Sequence, residues 1–249
     1  MDKATKYFAV PQGRVYIADR NSTGKTSQFT HVGNVSGLSF NTAQTFFEDQ
    51  ESMTGLRSTV VRIPTAQTYT FSMEMKNIDK DNLAKAYQGT GTSSTGATVT
   101  GEAINARPGE RSYVKRVNIS AVVIKKGATT LVAGTDYIVD TVYGAMDFLT
   151  SANIITGDNA VTVDYTYATQ TSVQGMTVGQ KDYALRFEGM SKFDSLPVVV
   201  NLPRVSLDLS ASLALIGTGA TILTVGGLVL PAPEITTAGL SQYIEFIEG

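Results

Sequence analysis

Residues 68–76, which read Thr-Tyr-Thr-Phe-Ser-Met-Glu-Met-Lys, decide the fold class. Every second residue is apolar and the residues between are polar, which is typical of a β-strand with one face on an apolar core. The same alternation recurs over residues 183–189 and 204–213. The inward-facing residues are predicted to be Tyr69, Phe71, Met73, Met75, Tyr183, Leu185, Phe187, Val205, Leu207, Leu209, Ala211 and Leu213. The sequence therefore predicts a protein dominated by β-structure.

One α-helix is predicted at residues 80–88. Asp79 precedes it, and a carboxylate at this position can accept hydrogen bonds from the free N–H groups of the first turn. Leu83 and Tyr87 are four residues apart and share a helix face, and Gly89 can end the helix. Residues 90–98 are rich in Gly, Ser and Thr, so we expect a flexible loop there.

Residues 111–168 form a separate compositional unit of short β-branched segments divided by glycine-containing turns. Polar, turn-rich segments at residues 90–110 and 168–182 flank this unit. We therefore predict that residues 1–110 and 169–249 form the main domain, an antiparallel β-sandwich with one flanking helix. Residues 111–168 would be a small inserted β subdomain.

The composition is poor in charge. Charged residues make up 17% of the 249 residues, against roughly 25% in an average globular protein. The surface must therefore be rich in Ser, Thr, Asn, Gln and Gly, which fits repeated burial against copies of the same chain and equally fits an ordinary β protein with Thr-rich strands. With a formal net charge of -2, the chain has no positive electrostatic potential that would attract nucleic acid.

Several classes of protein are disfavoured by what the chain lacks. It contains no cysteine, so disulfides and thiolate metal sites are excluded. Residues 1–6 have no apolar core of a signal peptide, and apolar runs such as residues 198–200 and 228–230 are too short to span a bilayer. We expect a protein made in the cytoplasm, with no membrane partner and no cofactor.

The single histidine limits catalytic chemistry. A Ser-His-Asp arrangement would need His31, which lies in a strand-like stretch without an acidic neighbour. A zinc site typically gathers three or four His, Cys or carboxylate ligands. Glu48, Asp49 and Glu51 cluster as glycosidase carboxylates could, but an acidic loop explains them better. We therefore predict a structural role for His31 and no enzymatic activity.

Residues 22–26, Ser-Thr-Gly-Lys-Thr, end like a phosphate-binding loop. The full pattern needs a glycine five positions before Gly24, where this chain has Asp19. The segment also lies between two strand patterns instead of leading from a strand into a helix. We therefore predict that Gly24 forms a hairpin tip between residues 14–18 and 28–32.

Residues 41–55 fit neither a regular strand nor a compact turn. They carry Phe46, Phe47 and Met53 among acidic residues. Long connections inside a compact domain are often functional, and exposed aromatic residues there can anchor a partner subunit. The alternative is a loop that folds back on its own core.

Three segments together resemble the tail-tube (major tail) proteins of bacteriophages with long, non-contractile tails. Residues 33–61 hold Gly33-Asn34-Val35, Thr45-Phe46-Phe47-Glu48 and Thr54-Gly55-Leu56. Residues 68–89 hold the strand and the helix. Residues 185–217 hold Leu185-Arg186-Phe187-Glu188-Gly189, the segment 198–206 and Leu213-Ala214-Leu215-Ile216-Gly217. The order and spacing of these segments carry the resemblance.

The resemblance implies a β-sandwich or partly open barrel with a flanking helix. It also implies a homo-oligomer located in the virion tail. Six copies would form a ring, strands of neighbouring copies would join around a lumen, and rings would stack along a tape-measure protein. The partners implied are the tape-measure, tail-terminator and tail-tip proteins, and genomic DNA that passes without specific binding. By this resemblance, a long loop would reach the neighbouring subunit through Phe46, Phe47, Glu48, Met53 and Leu56.

Two polar strand faces are candidates for the lumen wall. Small hydroxyls with scattered carboxylates would bind the phosphates of DNA only weakly. The alternative is that these faces simply meet water outside the tube. The candidate residues are Thr70, Ser72, Glu74, Ser206, Asp208 and Ser210.

Other functions fit the same sequence. The inner tube of a contractile tail, a tail terminator or a capsid decoration protein would have a similar fold, although an enclosing sheath would leave little room for the insert. A cell- or carbohydrate-binding β module would show an exposed aromatic cluster on a stable monomer. An enzyme fits least, because no pair of nucleophile and base can be assembled.

Overall fold

Antiparallel strands make up most of the structure, a computed structural model that describes residues 12–53, 55–151, 153–154, 157–192, 195–209, 213 and 215–249. Strands hold 56% of the residues and helix holds 3%, which confirms the predicted all-β class with one helix. The chain divides into two units. Unit 1 comprises Met1–Gly91 and Val173–Gly249, and unit 2 comprises Thr92–Ser172.

The elements are numbered along the chain. They are β1 (Gly13–Asp19), β2 (Thr30–His31), β3 (Val35–Gln50), β4 (Thr59–Met75), α1 (Lys80–Ala86), β5 (Thr90–Ser94), β6 (Ala97–Ala106), β7 (Arg111–Tyr113), β8 (Ile119–Lys126), β9 (Thr129–Thr130), β10 (Tyr137–Asp140), β11 (Ala145–Phe148), β12 (Asn159–Tyr167), β13 (Gln170–Gln174), β14 (Asp182–Met190), β15 (Pro197–Leu207), β16 (Leu223–Val229) and β17 (Glu245–Glu248).

Unit 1 is built on an eight-stranded sheet with the order β2-β1-β14-β15-β16-β4-β3. The eighth strand, β17, pairs with the first part of β15, whereas β16 pairs with its last part. All of these pairs are antiparallel. The order ends at β2 and β3, so the described strands leave the sheet open.

Alternation along β4 places its apolar side chains in the core of unit 1. Phe71, Met73 and Met75 are buried there together with Val205 and Leu207 of β15. The predicted inward face is therefore confirmed for these residues. Helix α1 covers the core with Ala86 and Leu83.

Helix α1 begins as predicted, because the side chain of Asp79 accepts hydrogen bonds from the backbone N–H groups of Asp81 and Asn82. It ends at Ala86, before the predicted residue 88. Gln88 has a φ of 46°, so the left-handed turn that follows the helix falls on Gln88 and not on Gly89.

Two predictions about strands and loops were wrong. Strand β15 ends at Leu207, although the alternation continues to residue 213, and Leu209 is exposed. Ala211 lies outside the described residues. Residues 90–98 contain β5 and the first residues of β6, where a flexible loop was expected. Threonine-rich segments form strands readily when a neighbouring strand pairs with them.

Unit 2 has a core of its own. A four-stranded sheet has the order β6-β12-β8-β9, and a three-stranded sheet has the order β10-β11-β7. Unit 2 begins at Thr92 and ends at Ser172, so it is wider than residues 111–168. Its two ends lie together, since the hydroxyl oxygens of Thr92 and Ser172 are 2.9 Å apart. Its core contains Ala106, Ile124, Tyr137, Met146, Phe148, Ile154, Val161, Val163 and Tyr165.

The segment at residues 90–110 was predicted to be a polar flank, and the structure contradicts this. Strand β6 pairs with β12 along its length, and Val99, Ile104 and Ala106 pack into the core of unit 2. The apolar positions are widely spaced among Thr, Gly and Glu, so the segment lacks the continuous alternation that marked β4.

A buried carboxylate joins two loops of unit 2. Asp136 is 1% exposed. One of its oxygens lies 2.7 Å from the backbone nitrogen of Val132, which donates to it, and Asn153 donates to both oxygens. Hydrogen bonds from the Ser151 hydroxyl and from Val132 lower the pKa of Asp136, against the opposing effect of burial.

We expect Gly227→Ala to destabilise unit 1 by at least about 2 kcal/mol. A Cβ atom at Gly227 would lie 2.0 Å from the backbone oxygen of Ser206, which β-pairing holds in place. Chemical denaturation measures the effect. The control is Gly219→Ala, where a Cβ meets nothing within 4 Å. Equal stability of the two variants would contradict the packing described here.

We expect Asp136→Asn to destabilise unit 2 by about 1–3 kcal/mol at neutral pH, because the amide cannot accept all the hydrogen bonds that the carboxylate accepts. The folded state lowers the pKa of Asp136, so its stabilisation is present above the ordinary Asp pKa of 3.8 and is lost as the pH falls through the lowered value. The difference between wild type and variant should therefore shrink in acid.

Hydrogen exchange of the β12 amides, measured over a pH series, tests this expectation. Asp147→Asn removes the same charge from a more exposed side chain and is the control. A stability difference that stays constant below the ordinary Asp pKa would show that ionised Asp136 is not the stabilising group.

Candidate functional site

The hairpin of β3 and β4 extends beyond the sheet of unit 1. Strand β16 pairs with β4 only from Tyr69 to Met75. Before Tyr69, β4 has β3 as its sole strand neighbour among the described residues. We call residues 43–68, which comprise the ends of both strands and the turn between them, the arm. Every described side chain of the arm is exposed except Phe46 and Glu51, which are half-buried.

An arm of this kind is unfavourable in isolation. A two-stranded ribbon in water is marginally stable at best, because neither of its faces rests on a core. Both outer edges also present unpaired backbone groups that can pair with another chain. Burying the arm against a partner would therefore be energetically favourable.

The pairing register gives the arm two different faces. Phe47 lies opposite Ile63, and Asp49 lies opposite Val61. Because cross-strand partners share a face and consecutive pairs alternate, these residues lie on one face. The side chains of Phe47, Val61 and Ile63 remain 55%, 40% and 53% exposed. We call these three residues the apolar face.

On the opposite face, Phe46, Glu48 and Arg62 contact one another. Phe46 lies opposite Pro64, and Glu48 lies opposite Arg62. The guanidinium carbon of Arg62 is 3.7 Å from the centroid of the Phe46 ring, and its Nε is 3.0 Å from Oε1 of Glu48. The ion pair is exposed and contributes little, whereas the cation–π contact contributes about 0.5–1 kcal/mol. Phe46 is thus already covered, and Phe47 is not.

The tip of the arm presents two further apolar side chains. The backbone N–H of Glu51 donates to the carbonyl oxygen of Ser58 at 3.0 Å, which closes the turn. Between them, Met53 and Leu56 are 92% and 83% exposed. Thr54 lies outside the described residues.

The prediction of an irregular connection at residues 41–55 was therefore wrong in its local structure. Phe46, Phe47 and Glu48 lie in β3, and Met53 and Leu56 lie in the tip. Sequence reasoning also missed Val61 and Ile63. The signal that could have found them is the β-branched run Thr59-Val60-Val61-Arg62-Ile63, which can pair with residues 44–50 across a turn.

The lumen candidates on β4 face away from the core. Thr70 and Ser72 are half-buried and Glu74 is exposed, with Oε2 3.1 Å from the hydroxyl oxygen of Ser36. Strand β16 connects this face with β15, because Leu228 lies opposite both Thr70 and Ser206. The structure thus places Thr70 and Ser206 on one face of the sheet.

Ser206 cannot line an open surface. It is only 5% exposed, and the side-chain amide of Gln180 donates a hydrogen bond to its hydroxyl oxygen. Gln180 is distant in sequence, so alternation alone could not reveal this cover. Asp208 is exposed just after β15 ends, and Ser210 lies outside the described residues.

The other chemistry-bearing residues occupy structural positions. Gly24 has a φ of 84°, and its N–H donates to Asn21 in the turn between β1 and β2, so the predicted hairpin tip is confirmed. His31 is exposed on β2, accepts a hydrogen bond from Gly33 at Nδ1 and contacts the Tyr16 ring. Within the described ranges, no group of three His, Cys, Asp or Glu residues could hold a metal ion.

These features define a class: an all-β protein with a large open sheet, a second β unit and an exposed two-stranded arm. A family model described as "Protein of unknown function UCP028589" matches residues 8–247, and the chain belongs to this family. No curated protein matches the chain significantly. None of the described helices is long and apolar enough to cross a membrane.

We expect Arg62→Ala to loosen the arm, because it removes the cation–π contact with Phe46. Loss of about 0.5–1 kcal/mol corresponds to amide exchange about two- to fivefold faster over residues 44–50. Hydrogen exchange with mass spectrometry measures this. Arg57→Ala removes the same charge from the tip and is the control. Equal acceleration by both variants would assign the effect to net charge.

Proposed function

We propose that this chain is a structural virion protein that assembles with copies of itself into stacked hexameric rings and forms the tail tube of a long-tailed, non-contractile bacteriophage. It would act without catalysis, as the conduit for DNA delivery. The proposal rests on the arm, because burial of its apolar face and its tip, which is energetically favourable, requires another molecule to cover them.

Ring assembly would resolve the open edges of unit 1. The strand order ends at β2 and β3, and the arm continues the β3 edge away from the sheet. In a head-to-tail ring, each copy offers one edge and receives another, so closure leaves no strand edge unpaired. A self-complementary dimer would bury one arm surface but would not generate a tube.

The arm alone supplies part of the binding free energy. Full burial of a large apolar side chain contributes about 1.5–3 kcal/mol, and the arm offers six exposed ones. They are Met53, Leu56, Phe47, Val60, Val61 and Ile63. Association costs about 4–15 kcal/mol before any contact contributes, which is comparable with the gain from the arm. Strand pairing along the edges must therefore add to the arm, and we expect monomers to persist until assembly is nucleated, for example by a tape-measure protein.

The polar face of β4 and β16 suits a wall along which DNA moves. Thr70, Ser72 and Glu74 offer hydroxyls and a carboxylate, Lys76 adds a single cation just after β4, and the chain carries a formal net charge of -2. With so few cations there is little counterion release to hold a phosphate backbone. A DNA strand passing this face would meet weak repulsion, which permits rapid transit. Tail-terminator and tail-tip proteins would cap the two ends of the tube.

Unit 2 favours a second candidate function, the recognition of a cell surface or carbohydrate. Tyr113 and Tyr143 are exposed, and the guanidinium group of Arg111 is paired with Asp140 beside Tyr113. Aromatic faces next to polar groups suit sugar rings. This function would be compatible with a tube that displays unit 2 outward, and it would be the main function if the chain stayed monomeric.

Electron microscopy of the concentrated protein tests the proposal. We expect hollow, evenly banded tubes in negative stain, with a nucleating tape-measure protein added if the protein alone stays monomeric by light scattering. A chain that remains monomeric under both conditions would contradict the tube proposal and favour a decoration or binding module.

We expect Phe47→Ala to leave the monomer folded but to reduce tube yield in sedimentation at least tenfold, because it removes the largest side chain of the apolar face. Phe46→Tyr is the control. It changes the neighbouring aromatic residue but keeps the ring that Arg62 contacts, so its tube yield should match wild type. Unchanged yield with Phe47→Ala would exclude the apolar face from the interface.

A further inference from the structure

Strand β17 covers one edge of β15 but is loosely held there. Its four residues pair with residues 198–201 of β15, and among the described strands its other edge has no partner. Within this strand, Phe246 and Ile247 remain 64% and 45% exposed. A short strand with one neighbour and little buried apolar area has a low free energy of local opening. We therefore expect β17 to leave β15 without unfolding of the sheet.

An apolar groove lies beside the same edge of β15. Its volume is about 530 Å³. Val198 and Val200 in its wall are 2% and 5% exposed, and Phe246 borders the groove without filling it. Further apolar lining residues are Val15, Leu38, Phe40 and Phe187. An edge next to an apolar groove suits an added strand, because the edge supplies backbone hydrogen bonds and the groove takes alternate side chains.

The arm carries the same short pattern as β17. In β17, Phe246 is followed two positions later by Glu248, and in the arm Phe47 is followed two positions later by Asp49. Residues two positions apart on a strand point to the same side. Either strand can therefore present an aromatic ring and a carboxylate to the groove.

We propose that the edge of β15 at residues 198–201, together with this groove, is the acceptor for the arm of a second copy, and that β17 occupies the acceptor in the monomer. This inference rests on the proposed self-assembly and names the surface that receives the arm. The outer edge of β3 would pair with β15 in the register that β17 now has. Phe47 would then lie opposite Val200, and Asp49 opposite Val198.

The arm fits the groove better than β17 does. Strand β17 brings one aromatic side chain, Phe246, to the groove, whereas the arm presents Val61 and Ile63 beside Phe47 on the same face. Each further apolar side chain that leaves water strengthens binding. The covalent link nevertheless favours β17 in a dilute monomer, since its effective concentration at β15 is on the order of millimolar. The acceptor thus stays closed until copies are held close together.

Two single-cysteine chains test the contact directly, because the chain has no cysteine of its own. Glu48→Cys and Val199→Cys would face each other in the proposed register. The two chains, one of them tagged, are mixed under assembly and oxidising conditions, and the disulfide-linked heterodimer is measured by non-reducing electrophoresis. Thr166→Cys replaces Val199→Cys in the control mixture, since both parent side chains are half-buried.

We expect the heterodimer of Glu48→Cys with Val199→Cys to form at least about tenfold faster than the control heterodimer, because docking raises the effective concentration of the two thiols. Sedimentation of the same mixtures separates this inference from the tube proposal. Rapid cross-linking without tubes would support the acceptor and contradict the tube. Tubes in which both pairs react equally slowly would overturn the acceptor alone. Monomers in which both pairs react equally slowly would overturn both proposals.

A reversible lock tests whether β17 must leave. Val199→Cys combined with Ile247→Cys places a disulfide between β15 and β17 in the full chain, because these residues lie opposite each other. We expect the oxidised chain to assemble at least about tenfold less than the reduced chain, since its acceptor edge stays covered. Circular dichroism shows that both forms are folded.

The control lock is Thr98→Cys combined with Thr166→Cys between β6 and β12, where the two hydroxyl oxygens lie 3.2 Å apart. This chain should assemble equally well when oxidised and when reduced. Equal assembly of the oxidised and reduced forms of the β15–β17 lock would show that β17 can stay in place, and the proposal would then be wrong.

Discussion

The structure depends on one constraint, which is that a strand needs a partner on each edge and a core beneath one face. Strand β4 meets this requirement from Tyr69 to Met75, where β3 and β16 flank it and its apolar side chains enter the core of unit 1. From Thr59 to Thr68 it has β3 alone and no core. A single strand therefore changes from the centre of a sheet to one half of an exposed arm. The proposed function follows from that change, because only association can supply what the outer part of the strand lacks.

Sequence reasoning succeeded where burial is one-sided. Phe71, Met73 and Met75 could be predicted because a strand on a core shows its period of two in the identity of its residues. The arm escaped prediction because both of its faces are exposed in the monomer, so neither face selects a regular apolar pattern. The prediction that Ser206 lies on an open face failed for a different reason. Gln180 covers Ser206, and no local sequence pattern connects these two residues. Positions decided by contacts between distant segments lie beyond what periodicity can reveal.

The two faces of the arm show how exposed strands can be kept from indiscriminate association. Arg62 covers Phe46 and pairs with Glu48, so one face is charged and already has its contacts. Charged side chains on an exposed strand discourage pairing with arbitrary partners. The opposite face, with Phe47 and Ile63, remains exposed, and in the proposed assembly it would meet a partner of matching shape. Specific assembly thus requires a difference between the faces, and the register of β3 on β4 creates it.

The hydrogen bond between Thr92 and Ser172 closes unit 2 at the point where it joins the chain. Since the unit has its own core and its two ends meet, removing or exchanging it alters the main chain path at a single place. Lineages could therefore gain, lose or replace such a unit while the main sheet stays the same. The junction at residues 92 and 172 is, for the same reason, a point at which a foreign domain can be grafted onto the chain in place of unit 2.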